Sequence, residues 1–508
     1  MMSSGLLPEQ NQQVLSTTIP DKGEEGVISA AFLKWAAWIL LAYFGARLLF
    51  FAMNISSFVP PDEVTHAGLC KIFSKVFLLP ENSPATYEFG LVTNIPWLYY
   101  WIMGKLLHLN YSGFPDLVFL RLLNIPLAFG TLRYALKLLR LLTDSRIAQL
   151  LLIVVITNTP MFSLLSASVS YDNLTNLFAA IAIYYLFAFF KERSGGFLAA
   201  SILCQAAGCL TKVTYLPLAL VLSALLLIHE FRRLHILPAA LKGYFTACAF
   251  KQWLLMLLII IALGLNLDLY AGNYLHFGTV TPSMSNLFPT KIATQFGIVA
   301  RETIFKEYSE GRISYMDALV MAGEIKHPGN KADTFYLLMN YENLKRNPQL
   351  WMGPLPYVKV WFENMIGTIF GIKGHLHMFK DPRYLIPIYL ILAFSVLGFF
   401  VRWRLRDTGW LPLCLAVIAC FYSWLLLYNI NYNAYLYYGT PGITLQGRYL
   451  FPVIGPVYVL ACHYLIQLFR NDKIRIALTL VTALLFISYD FPWFLMHASP
   501  EWYTWLPG

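Results

Sequence analysis

Runs of mostly apolar residues, each about the length of a bilayer-spanning helix, recur from residue 31 to residue 492. A span takes about 20 residues, because a helix rises about 1.5 Å per residue across a hydrocarbon core about 30 Å thick. That core offers no water, so backbone N–H and C=O groups must pair within the segment, and such runs specify helices. The runs lie at 31–53, 117–139, 147–165, 173–190, 196–211, 213–229, 252–270, 384–401, 410–430, 448–469 and 474–492. They predict an all-α polytopic membrane protein with about eleven spans. Composition agrees: only 13% of the 508 residues are charged, against about 25% in soluble domains. Thr211-Lys212 reads as a tight turn between two runs or as an interruption of one longer segment. The first run is too long and lies too far into the chain for a signal-peptide core, and is expected to remain as an anchor.

The net charge of +10 raises the question of nucleic acid. The positions argue otherwise, because the basic residues cluster in short loops between the runs, which is a topology signal. With a cytoplasmic amino terminus, the inner loops carry Arg140 and Arg146; Lys191 and Arg193; Arg232, Arg233, Lys242 and Lys251; Arg402, Arg404 and Arg406; and Arg470, Lys473 and Arg475. The opposite face then receives 54–116, 166–172, Lys212, 271–383, 431–447 and the tail from 493. The expected organisation is a cytoplasmic tail (1–30), an N-terminal membrane module (31–270), an outer subdomain (271–383), a C-terminal membrane module (384–492) and an outer tail (493–508). The seven cysteines include no Cys-x-x-Cys and read as small apolar side chains.

This threading places Asp62, Glu63, Asp172, Lys212 and Arg448 on one side, each near a membrane edge. Ionisable groups are costly there and usually have a function. Asp62 and Glu63 follow Pro60-Pro61 and are expected in the first turn of an amphipathic helix running to Phe77. Capping would need one carboxylate; two beside a membrane point to catalysis or substrate positioning, with Asp62 as a base for an acceptor hydroxyl. His66, one turn on, reads either as a polar residue facing the headgroups or as a partner of Asp62 in holding a metal or sharing a proton. The Trp- and Tyr-rich 95–107 is short for a span and is expected to lie in the membrane plane.

Asp172, within Ser168-Val169-Ser170-Tyr171-Asp172-Asn173, can cap a helix, serve a site, or both. Lys212 either snorkels or faces a lipid phosphate. Arg448, in Gln446-Gly447-Arg448-Tyr449, opens a span on the outer side; a guanidinium matches phosphate oxygens with two parallel bonds. Tyr449 is its partner or a belt aromatic. Arg47 and Arg121 also lie near outer ends of spans, where headgroup contacts are expected ahead of a share in neutralising a phosphate or pyrophosphate. Residues 353–372 are apolar and are expected to dip toward the bilayer.

Pro61-Asp62-Glu63-x-x-His66, the interfacial Pro-Trp-Leu-Tyr-Tyr helix, Tyr171-Asp172-Asn173-Leu174-Thr175-Asn176 and Gln446-Gly447-Arg448-Tyr449 resemble the GT-C superfamily of membrane glycosyltransferases, over roughly residues 31–492. They are also similar to a bacterial family of multi-spanning glycosyltransferases. That resemblance implies a GT-C-like bundle with interfacial helices in the first outer loop, in a cell (inner or plasma) membrane. It implies inverting sugar transfer from a polyprenyl-phosphate donor to a glycan, lipid or protein acceptor on the non-cytoplasmic face. Asp62 takes the catalytic position with Glu63 adjacent; His66, Asp172, Lys212, Arg448 and Tyr449 take substrate. The superfamily has metal-dependent and metal-independent members, so a divalent metal (Mg or Mn) stays open. A flippase for a lipid-linked saccharide and a polysaccharide polymerase or ligase are the alternatives. A flippase places its ionisable groups nearer the bilayer midplane.

Overall fold

A computed structural model describes residues 29–503 apart from 84, 87–88, 232–235, 247–249, 290–295, 327, 375–376, 379–380, 404–409 and 443–444. Arg232, Arg233, Cys248, Arg404, Arg406, most of the amino-terminal tail and residues 504–508 thus lie outside the described residues. Among the described residues, eight helices are long and apolar enough to cross a membrane: Ala31–Asn54, Asp116–Arg140, Tyr171–Glu192, Phe250–Phe277, Arg383–Arg402, Trp410–Tyr438, Gly447–Gln467 and Asp472–His497. The run at 147–165, expected as one span, is a pair, Arg146–Thr157 and Pro160–Ser166, bent by 68°. Pro160 opens the second helix, where its missing N–H costs nothing. The runs at 196–211 and 213–229 are the shorter apolar helices Gly195–Thr211 and Val213–His229. Between them the chain breaks at Lys212, which is extended at φ −155 and ψ 135. The described residues include a single sheet, the small hairpin Ile372–Gly374 with His377–Met378. The fold is all-α.

Surface and interior follow the bilayer's chemistry. Phe32, Trp35, Trp38 and Ile39 on the first helix are exposed, as are Leu254, Leu257, Leu258 and Ile261 on Phe250–Phe277. Apolar side chains on an outward helix face are what a hydrocarbon solvent requires. Polar and ionic groups turn inward instead: Arg47, Arg121, Asp172, Lys212, Arg448 and Asp490 are all buried.

Two smaller packed units lie beside the long helices. The Leu98–Leu107 helix is ten residues long, too short to cross, and packs on Glu63–Ser74 around Cys70, Phe73, Tyr99, Tyr100 and Met103. Separately, Gly297–Ser309, Tyr315–Gly323 and Pro328–Arg346 share a small core of Phe305, Tyr308, Ala318, Leu337 and Leu338. The 353–372 stretch forms the helix Pro354–Gly371, which buries Tyr357, Trp361, Met365 and Ile369 in the main core of the bundle.

Candidate active site

Asp62 immediately precedes the Glu63–Ser74 helix, in the left-handed region at φ 57, and its side chain makes no capping bond. Its carbonyl instead accepts from His66 N–H at 3.0 Å. A non-glycine residue pays roughly 1–2 kcal/mol for that backbone shape, and such strain clusters at functional sites. The result is a carboxylate not used as a cap. Its side chain is 49% exposed and accepts from Arg448 Nη2 at 2.5 Å.

Arg448 arrives from the opposite end of the chain, at the start of the Gly447–Gln467 span, with its side chain 2% exposed. Its Nη1 stands 3.6 Å from Asp172 Oδ2. Its Nε and Nη1 have no hydrogen-bond partner among the described residues. Asp172, also buried, is ion-paired with Lys212. The Lys212 ammonium lies 4.7 Å from the centre of the Tyr171 ring and 4.8 Å from that of Tyr449, within cation–π range. Asp62, Asp172, Lys212, Arg448 and Tyr449, scattered over the sequence, thus meet in one place. Two carboxylates balance two cations there, and the one half-open carboxylate sits at the edge.

His66 belongs to the same cluster. Its Nδ1 is 2.8 Å from Tyr100 Oη, and its ring stands edge-on to Tyr171 at 4.5 Å. It is buried rather than facing headgroups, and its Nε2 has no partner among the described residues. Burial pushes its pKa down to about 4, so at neutral pH it is an uncharged donor or acceptor. Tyr171 and Tyr100 were not singled out in the sequence, though both stand inside the stretches quoted there.

The scaffold explains how these groups are held. Gly447 lets the Arg448 backbone approach the Pro354–Gly371 helix: a Cβ there would lie 2.6 Å from Met365 O, and Gly447 N–H donates to Thr368 Oγ1 at 2.7 Å. Tyr422 Oη donates to Thr214 O at 3.2 Å and to Tyr449 O at 2.9 Å, tying the Lys212 break to the Arg448 segment. Ser170 caps the Tyr171–Glu192 helix and donates to Asp172 Oδ2 at 3.2 Å.

Glu63 points the other way from Asp62. It is 1% exposed, takes Arg121 Nε at 2.8 Å and Nη2 at 2.5 Å, and accepts from Val169 N–H at 2.8 Å. Both of its oxygens are engaged, so Glu63 ties its helix to the Asp116–Arg140 helix and to the Val169 backbone. The headgroup contacts expected of Arg121 and Arg47 are corrected. Arg121 also donates to Ala52 O at 3.1 Å and Ile55 O at 2.6 Å. Arg47 is buried against Asp490 and donates to Thr157 O at 2.6 Å. Both satisfy carbonyls freed at helix ends.

Among the described residues no group of three or more His, Cys, Asp or Glu could hold a metal ion. Asp62 and Asp172 already face a guanidinium and an ammonium, which offer no lone pair to a metal. This donor set does not fit a divalent cation. It fits an anion bound by fixed cations beside a carboxylate able to accept a proton.

No protein-family model and no curated protein matches the chain. Solved structures similar to it over most of its length include the archaeal oligosaccharyltransferase AglB from Archaeoglobus fulgidus in complex with an inhibitory peptide and a dolichol-phosphate. That match has 12% identity and a TM-score of 0.42, covering 90% of this chain and 55% of AglB, so the chain spans about half the length of that protein. ArnT from Cupriavidus metallidurans bound to undecaprenyl phosphate is similar at 13% identity and a TM-score of 0.37, covering 87% of this chain and 78% of ArnT. The same ArnT in the apo state gives 14% identity and a TM-score of 0.36, covering 86% and 78%.

Proposed function

We propose that this chain is an integral-membrane glycosyltransferase of the GT-C kind. It moves a sugar from a polyprenyl-phosphate-linked donor to a hydroxyl-bearing glycan, lipid or protein acceptor. The single observation that carries the reading is Arg448: a buried guanidinium whose Nε and Nη1 make no hydrogen bond among the described residues, beside a half-exposed carboxylate. Buried donors without partners are costly, and phosphate oxygens match a guanidinium fork.

The donor phosphate lies against Arg448 and Lys212, with the Tyr449 ring beside both. Asp62 takes the proton from the acceptor hydroxyl. The acceptor oxygen then forms a bond to the anomeric carbon from the face opposite the phosphate. The bond from that carbon to the phosphate oxygen breaks, and the electron pair leaves with the polyprenyl phosphate, inverting the carbon. Fixed cations stabilise that growing negative charge in a water-poor site. An arriving phosphate also competes with Asp62 for Arg448, which frees the carboxylate to act as a base. The parity of the helices and the basic loops at their other ends support a non-cytoplasmic site in a cell membrane.

The test is Asp62→Asn in purified protein reconstituted with polyprenyl-phosphate-linked sugars. Transfer falls by about 10²–10⁴-fold, the contribution of a positioned base, while bare polyprenyl phosphate still binds. Undiminished transfer removes Asp62 as base. Lipid scrambling without transfer by the unmodified protein favours a flippase instead.

A further inference from the structure

We propose that His66 is a sugar-recognising residue, whose Nε2–H donates to a hydroxyl or ring oxygen of the donor's sugar. This rests on the donor reading above and deepens it, separating a sugar subsite from the phosphate subsite.

His66 is one turn after Asp62, within the helix that Asp62 precedes, and is 4% exposed, with Nε2 unpartnered among the described residues. Its ring meets that of Tyr171, which in turn lies 4.7 Å from Lys212 Nζ, so it borders the cluster. A buried polar atom left without a partner is uncommon in a native protein and asks for an explanation. A bound ligand group supplies one.

The tautomer follows from Tyr100. Its hydroxyl is buried and bonds His66 Nδ1 at 2.8 Å. Burial holds the Tyr100 phenol well above its usual range, so it keeps its proton. With no other acceptor for it among the described residues, Tyr100 O–H donates to Nδ1, and the ring hydrogen sits on Nε2. Tyr171 closes one side of the ring at 4.5 Å, which fixes the imidazole plane. The same Tyr171 ring lies 4.7 Å from Lys212 Nζ. It therefore contacts both the ammonium assigned to the phosphate and the imidazole assigned to the sugar. A donor with phosphate on Lys212 and Arg448 carries its sugar on the next atoms of the same molecule. His66 and Asp62 flank that position, one as donor to the sugar and one as base to the acceptor.

The experiment compares two probes on the full chain in nanodiscs: bare polyprenyl phosphate, and polyprenyl-phosphate-linked glucose, mannose and galactose. At least one glycosylated probe binds the unmodified protein more tightly than the bare carrier. His66→Phe, which keeps a ring and loses the donor, weakens that probe by about tenfold, the scale of one lost hydrogen bond, and leaves the bare carrier unchanged. His66→Gln, whose amide can donate, recovers part of the loss. Arg448→Ala weakens both probes. Equal weakening of both probes by His66→Phe makes the residue structural and overturns the proposal. So does an unmodified protein that binds no glycosylated probe more tightly than the bare carrier. Failure of the bare carrier to bind at all overturns the donor reading itself.

Discussion

Arg448 and Asp62 stand 386 residues apart in the chain, and Arg448 Nη2 meets Asp62 Oδ2 at 2.5 Å. The partners differ in environment: the arginine side chain is 2% exposed and the aspartate 49%. The contact joins the residue before the Glu63–Ser74 helix to the start of the Gly447–Gln467 span, so distant parts of the chain meet at one candidate site. A buried cation is expensive unless paired; this one is hydrogen-bonded to Asp62 through Nη2 and has Asp172 Oδ2 3.6 Å from Nη1. The remaining donors are what a phosphate would take.

Arg448→Lys keeps the charge and loses the planar fork. Affinity for bare polyprenyl phosphate is expected to fall by about tenfold, the scale of one charge-assisted bond. Arg448→Ala falls further, because the charge goes as well. Titration of the carrier into reconstituted protein measures both. Equal affinities for all three proteins would remove Arg448 from the phosphate subsite.

Glu63 and Arg121 are 1% and 2% exposed and join the start of the first-loop helix to the Asp116–Arg140 span. Removing one partner leaves a buried charge alone, which costs about 3–5 kcal/mol. Glu63→Ala and Arg121→Ala should each lower the melting temperature clearly in detergent. The double replacement Glu63→Leu with Arg121→Met should recover much of that loss, since no unpaired charge remains. If the double variant melts as low as the sum of the singles, the pair is not acting as a unit.

Much of the site was legible because charge in a membrane is restricted. Lys212 and Asp172 stand in largely apolar surroundings, and the parity of the apolar runs puts them on the side of Asp62 and Arg448. What sequence could not supply was pairing between distant segments. The neighbours Asp62 and Glu63 look equivalent in the sequence. They separate only because Arg121 and Val169 N–H are packed where Glu63 points. Arg47 likewise reads as a headgroup residue until Asp490 is placed against it. The bend after Thr157 had a local signal in Pro160, whereas the burial of Pro354–Gly371 did not. That burial depends on Gly447 making room for Met365 and Thr368.

His66 gives a pH prediction with a definite sign. Its folded pKa is lowered from 6.5 to about 4 by burial. The unfolded chain therefore binds the extra proton first, and stability present above pH 6.5 is lost as pH falls toward 4. The full loss is roughly 3 kcal/mol. Melting temperatures of the unmodified protein should fall through that window. His66→Asn should show a shallower acid limb, since the titrating group is gone. Parallel curves would mean that His66 does not hold its proton-free state as buried.

Gly104 sets how closely the first-loop helices pack. A Cβ there would lie 2.8 Å from Cys70 O and 2.9 Å from both Phe73 C and Ser74 N. These are backbone atoms of the Glu63–Ser74 helix, so the clash cannot be relieved by a side-chain rotation. Gly104→Ala must move the Leu98–Leu107 helix outward, carrying Tyr100 away from His66. Alanine otherwise favours the helix by about 1 kcal/mol, so any loss comes from the contact. The expected outcome is lower transfer with little change in affinity for bare polyprenyl phosphate, because Lys212 and Arg448 rest on other helices. Measuring transfer and carrier binding on one preparation separates these effects. Wild-type transfer in Gly104→Ala would show that the spacing of the two helices does not govern the site.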